Sequence, residues 1–320
     1  MAIVAEDPDV VSSIAGVATA PRPAVRAPRL GGVPELPEVE ALVVDLRGRL
    51  SDRAIVRVDI TAFSALKTFD PPLSALYGTL VEDVARHGKF LDVTASGLHL
   101  VMHLSRAGWV RWRDEVPATP LKPSSKSPLA ARVVLDDGAG LDISEAGTKK
   151  RLALYVVHDP AEVPGIARLG PDPLSAEFTE ASLREILQAA GRAQLKGVLR
   201  DQGTIAGIGN AYSDELLHAA RMSPFKPASS LSDEDVSVLF GAIKRVLGDA
   251  VERSRGLAAS ELKAEKKSHL AVHGRTGQAC PVCGDTVREV SFADSSLQYC
   301  PTCQTGGKPL ADRRLSKLLK

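Results

Sequence analysis

The chain has 320 residues, with 40 Lys+Arg against 39 Asp+Glu, 44% hydrophobic and 25% charged residues, and four cysteines. That length gives one large domain or two ordinary ones, each with its own core, and the composition, with a mean hydropathy of -0.02, excludes a disordered chain or a collagen-like fibre. No apolar run reaches the roughly 18 residues of a spanning helix, and the net charge of +1 does not exclude a nucleic-acid partner, because phosphate binding depends on where the basic residues sit.

Residues 1–33 are rich in Ala and Pro and carry Glu6, Asp7 and Asp9 where a signal peptide needs positive charge, so they read as an unstructured leader. Leu36, Val39, Val43, Leu46 and Leu50 recur at steps of three and four, predicting an amphipathic helix over 35–50. Pro34 opens it, and Glu35, Glu38 and Glu40 favour its positive N-terminal end. From about 54 to 157 the runs IVRVDI, KFLDV, LHLVMHL, ARVVLDD and LALYVV predict a β-sandwich or barrel-like sheet. Residues 158–178, with four prolines and two glycines between His158 and Ser175, read as a linker.

Residues 179 to about 256 favour helices. Ser232 and Asp235 have the spacing of a capping box, opening a helix that runs past Lys244. Gly207-Ile208-Gly209-Asn210 joins two helical segments, a place where backbone N–H groups can converge on an anion such as phosphate. Alone the motif is weak and reads better as a glycine-rich helix connection.

Cys280-x2-Cys283 and Cys300-x2-Cys303 are spaced as the two knuckles of a tetrahedral four-thiolate site, with strand formers between them suiting a zinc-ribbon hairpin over 266–304. Four closed ligands make this a structural zinc, and clustered cysteines point to a reducing compartment. Residues 253–320 hold 12 Lys+Arg and 6 Asp+Glu. That surplus, which includes the basic tail over 305–320, is either a phosphate-gripping surface or a solvated end.

Three motifs in order, Pro34-Glu35-Leu36-Pro37-Glu38-Val39-Glu40, the G-I-G-N loop and the four-cysteine ribbon, together resemble the formamidopyrimidine-DNA glycosylase and endonuclease VIII family. LGPDPLS at 169–175, LKGVLRDQ at 195–202 and SSLS at 229–232 extend the resemblance from Pro34 to about Gln304. It implies an α+β fold: a catalytic helix and β-sandwich over 34–157, a helix-two-turn-helix DNA-binding domain over 179–265, then the zinc finger. It implies a monomeric base-excision enzyme of the bacterial cytoplasm, associated with the nucleoid and acting on damaged double-stranded DNA away from membranes. Such an enzyme flips an oxidised base into a pocket, excises it and nicks the strand.

By that resemblance Pro34 is the nucleophile, attacking the sugar as a secondary amine, Glu35 is the general acid, and Lys89 is a β-hairpin lysine that assists elimination. His103, Arg106, Lys150, Arg192, Lys196 and Asn210 fall on DNA-facing positions, and Cys280, Cys283, Cys300 and Cys303 hold the zinc. The chain departs from the pattern at Arg106, where members acting on oxidised purines carry methionine, and at KKRL (149–152), which lacks their phenylalanine. Ser295 replaces an arginine of the finger, which implies β-elimination without the second, δ, step.

An internal proline nitrogen is an amide and cannot attack. The chemistry therefore implies that translation starts at Val33 from a GTG codon, or that proteolysis exposes Pro34. With the leader attached, the rival reading is a non-catalytic protein that binds damaged DNA. A zinc-ribbon transcription accessory protein would explain the cysteines and leave PELPEVE unexplained.

Overall fold

The computed structural model describes residues 33–122, 127–147, 149–293 and 295–311; the expected leader up to residue 32 and residues 312–320 of the expected tail lie outside the described residues. Helix α1 (Leu36–Leu50) forms where the apolar stripe predicts it, with all five stripe residues buried.

Two antiparallel four-stranded sheets follow. The first contains β1 (Ile55–Ile60), β5 (Gly108–Arg113), β6 (Leu129–Leu135) and β7 (Gly140–Glu145), in the order β1-β6-β7-β5. The second contains β2 (Val81–His87), β3 (Phe90–Ala95), β4 (Leu98–His103) and β8 (Ala153–Val157), in the order β2-β3-β4-β8. Alternate residues of both, such as Val84, Leu100, Val133 and Ile143, meet in one core with α1, the period-2 pattern of a sandwich.

Residues 158–178 are more than a tether. Val163 packs with Phe90 and Val101 of the second sheet, and Phe178 enters the next core. Proline limits regular structure there without preventing burial. Helices α2 (Glu180–Ala189), α3 (Leu195–Arg200), α4 (Asn210–Ala219) and α5 (Asp233–Ser254) build that second core. The capping box forms as expected, Asp235 N–H donating to Ser232 Oγ at 3.2 Å and Ser232 N–H to Asp235 Oδ2 at 3.3 Å.

After α5 the chain turns back onto the sandwich. Ala259 and Leu262 join its core, and Trp109 Nε1–H donates to Ala259 O at 2.8 Å. Helix α6 (Leu262–His269) follows, so the boundary expected between residues 265 and 266 falls inside a helix. Strands β9 (Arg288–Ser291) and β10 (Ser296–Tyr299) then make the finger hairpin, closed by α7 (Pro301–Thr305). Among the described residues no helix is long and apolar enough to cross a membrane.

Candidate active site and metal centre

Helix α4 begins with a deficit. Its N-cap is Gly209, which has no side chain to accept from the free N–H groups of the first turn. Glu35, at the N-cap of α1, supplies the missing acceptor from 174 residues away: its carboxylate accepts from Gly209 N–H at 2.7 Å, Ala211 N–H at 2.9 Å and Tyr212 N–H at 3.2 Å. The G-I-G-N loop thus receives an anion, as its geometry predicts, but the anion is the protein's own carboxylate rather than phosphate. Leu36 N–H donates to Gly207 O at 3.0 Å beside it.

Both glycines are required by this closeness. Gly207 has φ +84°, and a Cβ there would lie 2.6 Å from Leu36; a Cβ on Gly209 would lie 2.3 Å from the Glu35 carboxyl carbon.

Glu38 caps its own helix by accepting from Glu35 N–H at 2.8 Å, and it also accepts from Tyr212 Oη–H at 2.8 Å and Lys266 Nζ at 2.7 Å. Burial alone would push Glu35 upward, but the cations of Lys266 and Lys89 and the N–H groups of Ala211 and Tyr212 outweigh it, holding the carboxyl down at about 2. Glu38 goes the other way, because burial and the neighbouring Glu35 charge outweigh Lys266. At neutral pH Glu35 is therefore ionised, so it must take up a proton before it can deliver one.

Lys89 sits with Gly88 in the tight turn between β2 and β3, as a hairpin-tip lysine should, and donates to Ile208 O at 2.9 Å. Burial pushes its ammonium below the ordinary lysine value despite the Glu35 charge. Pro34 is buried at the head of α1. Lys196, expected on an open basic surface, is buried: it donates to Asp214 at 2.6 Å, Ser213 Oγ at 2.8 Å and Asn210 O at 3.0 Å, bracing α4 from within. Asn210 donates through Nδ2 to Ser296 O at 2.8 Å, while its buried Oδ1 has no partner among the described residues.

Pro34, Glu35, Lys89, Lys196 and Asn210 are thus brought together around the start of α4. Arg106, Lys150 and Arg192 are exposed side chains outside this hydrogen-bonded cluster. Lys150 donates to Glu145 O, and Glu145 Oε1 accepts from Arg151 and Leu152 N–H, shaping that loop.

His103 packs its ring against Phe90 at 4.6 Å. Burial first, and Lys89 second, lower it from 6.5 to about 4, so the ring is neutral at pH 7. In this window the unfolded chain binds more protons than the folded one, so stability rises with pH. We expect the full contribution above about pH 6.5 and its loss as pH falls to about 4, a change of roughly 3 kcal/mol. Denaturant unfolding of His103→Phe against wild type tests this; an identical acid limb in both would refute it.

Sequence reasoning missed Glu38 as a site residue, together with Tyr212 and Lys266. Glu38 was legible as the residue three beyond the N-cap. Lys266 lies in KAEKKSH, which reads as a solvated run.

The four cysteine Sγ atoms lie within 4.8 Å of one another, with Cys280–Cys303 at 3.9 Å and Cys283–Cys300 at 3.4 Å. A tetrahedron with Zn–S near 2.3 Å has edges of about 3.8 Å, so the donor set fits. His218 of α4 places Nε2 3.3 Å from Cys280 Sγ. The finger docks on the same helix: Glu215 accepts from Ala271, Val272 and His273 N–H, and Asp214 from Gln298 N–H and His273 Nδ1. Helix α4 therefore carries Glu35 at one end and the metal finger along its side.

A β-sandwich headed by a Pro-Glu helix, a helical domain capped by that glutamate and a four-cysteine finger define a class of two-domain, finger-bearing proteins. The family models for the formamidopyrimidine-DNA glycosylase N-terminal domain, the formamidopyrimidine-DNA glycosylase H2TH domain and the zinc finger found in FPG and IleRS match residues 33–148, 169–261 and 277–306. A formamidopyrimidine-DNA glycosylase of Symbiobacterium thermophilum is 37% identical over 297 residues, 88% of this chain and 93% of that protein. An uncharacterized formamidopyrimidine-DNA glycosylase-like protein of Mycobacterium tuberculosis is 57% identical over 160 residues, 50% of this chain and 99% of that protein. The crystal structure of the MutM (Fpg) protein of Thermus thermophilus superposes with a TM-score of 0.72 at 33% identity, covering 86% of this chain and all of that one. The chain belongs to the formamidopyrimidine-DNA glycosylase family.

Proposed function

We propose that the chain is a base-excision-repair DNA glycosylase with abasic-site lyase activity, working through Pro34 once its nitrogen is a free terminal amine. The observation that carries this reading is the cluster of the buried Pro34, Glu35 and Glu38 with the half-buried Lys89 at the start of α4. Solved relatives of the same fold include a Lactococcus lactis Fpg bound to DNA containing an abasic site, 25% identical with a TM-score of 0.73, and the ligand here is damaged double-stranded DNA in the same sense.

The chemistry follows from the groups. The Pro34 lone pair forms a bond to the sugar C1′ as the glycosidic bond breaks, its electron pair leaving with the base. A free α-amine titrates near 8, so a usable fraction is unprotonated at neutral pH. Glu35, ionised in the resting site, takes the proton the amine sheds and passes it to the ring oxygen as the C1′–O bond opens, leaving an iminium. Loss of a C2′ proton then expels the 3′ phosphate by β-elimination. Lys89, Asn210 and the exposed Arg106, Lys150 and Arg192 hold the flanking backbone, with His103 as a neutral contact. Lys196 acts by fixing the loop that presents Asn210. The finger's thiolates hold one structural zinc ion, which keeps the hairpin folded and takes no part in the reaction.

In the full chain the Pro34 nitrogen is an amide whose Val33 carbonyl accepts from Lys266 Nζ at 3.1 Å, which favours damage binding without turnover for that form. Borohydride trapping on an abasic-site duplex tests both readings, with the full chain and a chain beginning at Pro34 side by side. We expect a covalent adduct only from the shorter chain, because in the full chain the same nitrogen is an amide. Tight binding without adduct from both forms would reject the enzyme reading.

A further inference from the structure

Lys266 has the ordinary signature of a solvated lysine in sequence and the opposite environment in the structure. It is 8% exposed, and its Nζ lies 2.7 Å from Glu38 Oε2, 3.7 Å from Glu35 Oε1 and 3.1 Å from Val33 O. Its ammonium also stands over the Tyr212 ring, 4.6 Å from the centroid. The Val33 oxygen is separated from the Pro34 nitrogen by only the carbonyl carbon, which puts the ammonium within about 5.5 Å of that nitrogen.

We infer that Lys266 is a positioning residue for the reacting amine: it fixes the first turn of α1 through Glu38 and holds a fixed cation beside the Pro34 nitrogen, favouring the unprotonated, nucleophilic amine. The inference rests on the proposed Pro34 chemistry. Two buried carboxylates this close would otherwise offer the terminal amine a strongly anionic site, and the amine would keep its proton. Lys266 with Lys89 balances Glu35 and Glu38, so the ammonium form gains nothing from the cluster. Around Lys266 the facing groups are Glu35 and Glu38 from α1, Tyr212 and Glu215 from α4, Arg253 from α5 and Lys89 from the hairpin tip. On its own helix, Glu265 is engaged by Arg253 at 3.0 Å and by His269 at 2.9 Å, so Arg253 is not free to substitute for Lys266.

The cation reaches the site by an unusual route. Ala259 and Leu262 anchor the start of the α6 segment in the sandwich core, and one helical turn beyond Leu262 places Lys266 on the same face. Lys263, on a neighbouring face, sits 4.4 Å over the Trp109 ring.

The test uses chains beginning at Pro34, which lose only Val33 from the described residues. Borohydride trapping rates on an abasic-site duplex are measured from pH 5.5 to 9.5 for wild type, Lys266→Met and Lys266→Arg, with thermal melts and duplex affinity alongside. For Lys266→Met we expect the acid limb to move up by about one pH unit, a roughly tenfold loss of rate near pH 6.5 that closes near pH 9.5, with affinity within about twofold. Lys266→Arg keeps the charge and should keep the wild-type limb. A uniform loss at every pH in Lys266→Met, or a shifted limb in Lys266→Arg, would overturn the inference. The failure of the underlying reading looks different: the chain beginning at Pro34 would itself give no adduct, or the full chain, whose Pro34 nitrogen is an amide, would give one.

Discussion

Gly209→Ala is expected to remove trapping activity and to lower the unfolding free energy by about 3–5 kcal/mol. The added Cβ would stand 2.3 Å from the Glu35 carboxyl carbon. A free glutamate would swing aside at little cost, but this one is held by the N–H of Gly209 itself and by those of Ala211 and Tyr212 in the first turn of α4. Moving it strands those donors in a buried place, and it also pulls a charge away from Lys266. Chemical denaturation and trapping of the same preparations measure the two losses. Gly197→Ala is the control, because nothing lies within 4 Å of its added Cβ and the position is helical; alanine there should be neutral or stabilising by up to about 1 kcal/mol. If Gly209→Ala behaved like Gly197→Ala, the account of the loop would be wrong.

Stripping the metal should have the second large effect, and its reach is specific. The finger's apolar clusters are small, Val272 and Val287 with the cysteines and Val290, Leu297 and Tyr299 in the hairpin, too little to offset the entropy of ordering some 30 residues. A four-thiolate zinc is worth on the order of 10 kcal/mol or more to such a module. We expect chelation, or Cys300→Ser, to expose amides over 277–306 and then along α4, whose Asp214 and Glu215 lose their finger partners. The sandwich should stay protected, because its core contains no finger residue. Hydrogen exchange followed by mass spectrometry reads this directly, and unchanged protection in the finger after complete metal loss would contradict it.

Elements that pack in the ordinary way were the legible ones. Helix α1 and strands β1, β3, β4, β6 and β8 carry unbroken apolar patterns. The strands that escaped notice each have a physical reason. In β2 and β5 charged residues interrupt the apolar run, as VEDVARH and GWVRWR show. β7 buries Asp142, which is acceptable because Arg132 at 2.6 Å and Arg113 at 2.9 Å reach it from the strands on either side. Helix α6 escaped because its few buried residues are Leu262 and a lysine. At the site, Pro34, Glu35 and Lys89 were expected only through the resemblance, whereas the four-cysteine cluster was legible from spacing alone. What the G-I-G-N loop binds was beyond local reasoning, since its anion comes from the other end of the chain.

That last feature bears on safety as well as on geometry. Glu35 and its acceptor loop are 174 residues apart, and Lys266 is farther still from α1. A nascent or partly unfolded chain can hold any one of these groups without holding the constellation. An enzyme that cuts the backbone of the genome is dangerous when half made. Here α1 belongs to the sandwich core and the loop that seats Glu35 belongs to the helical core, so the constellation exists only once the two cores have packed together.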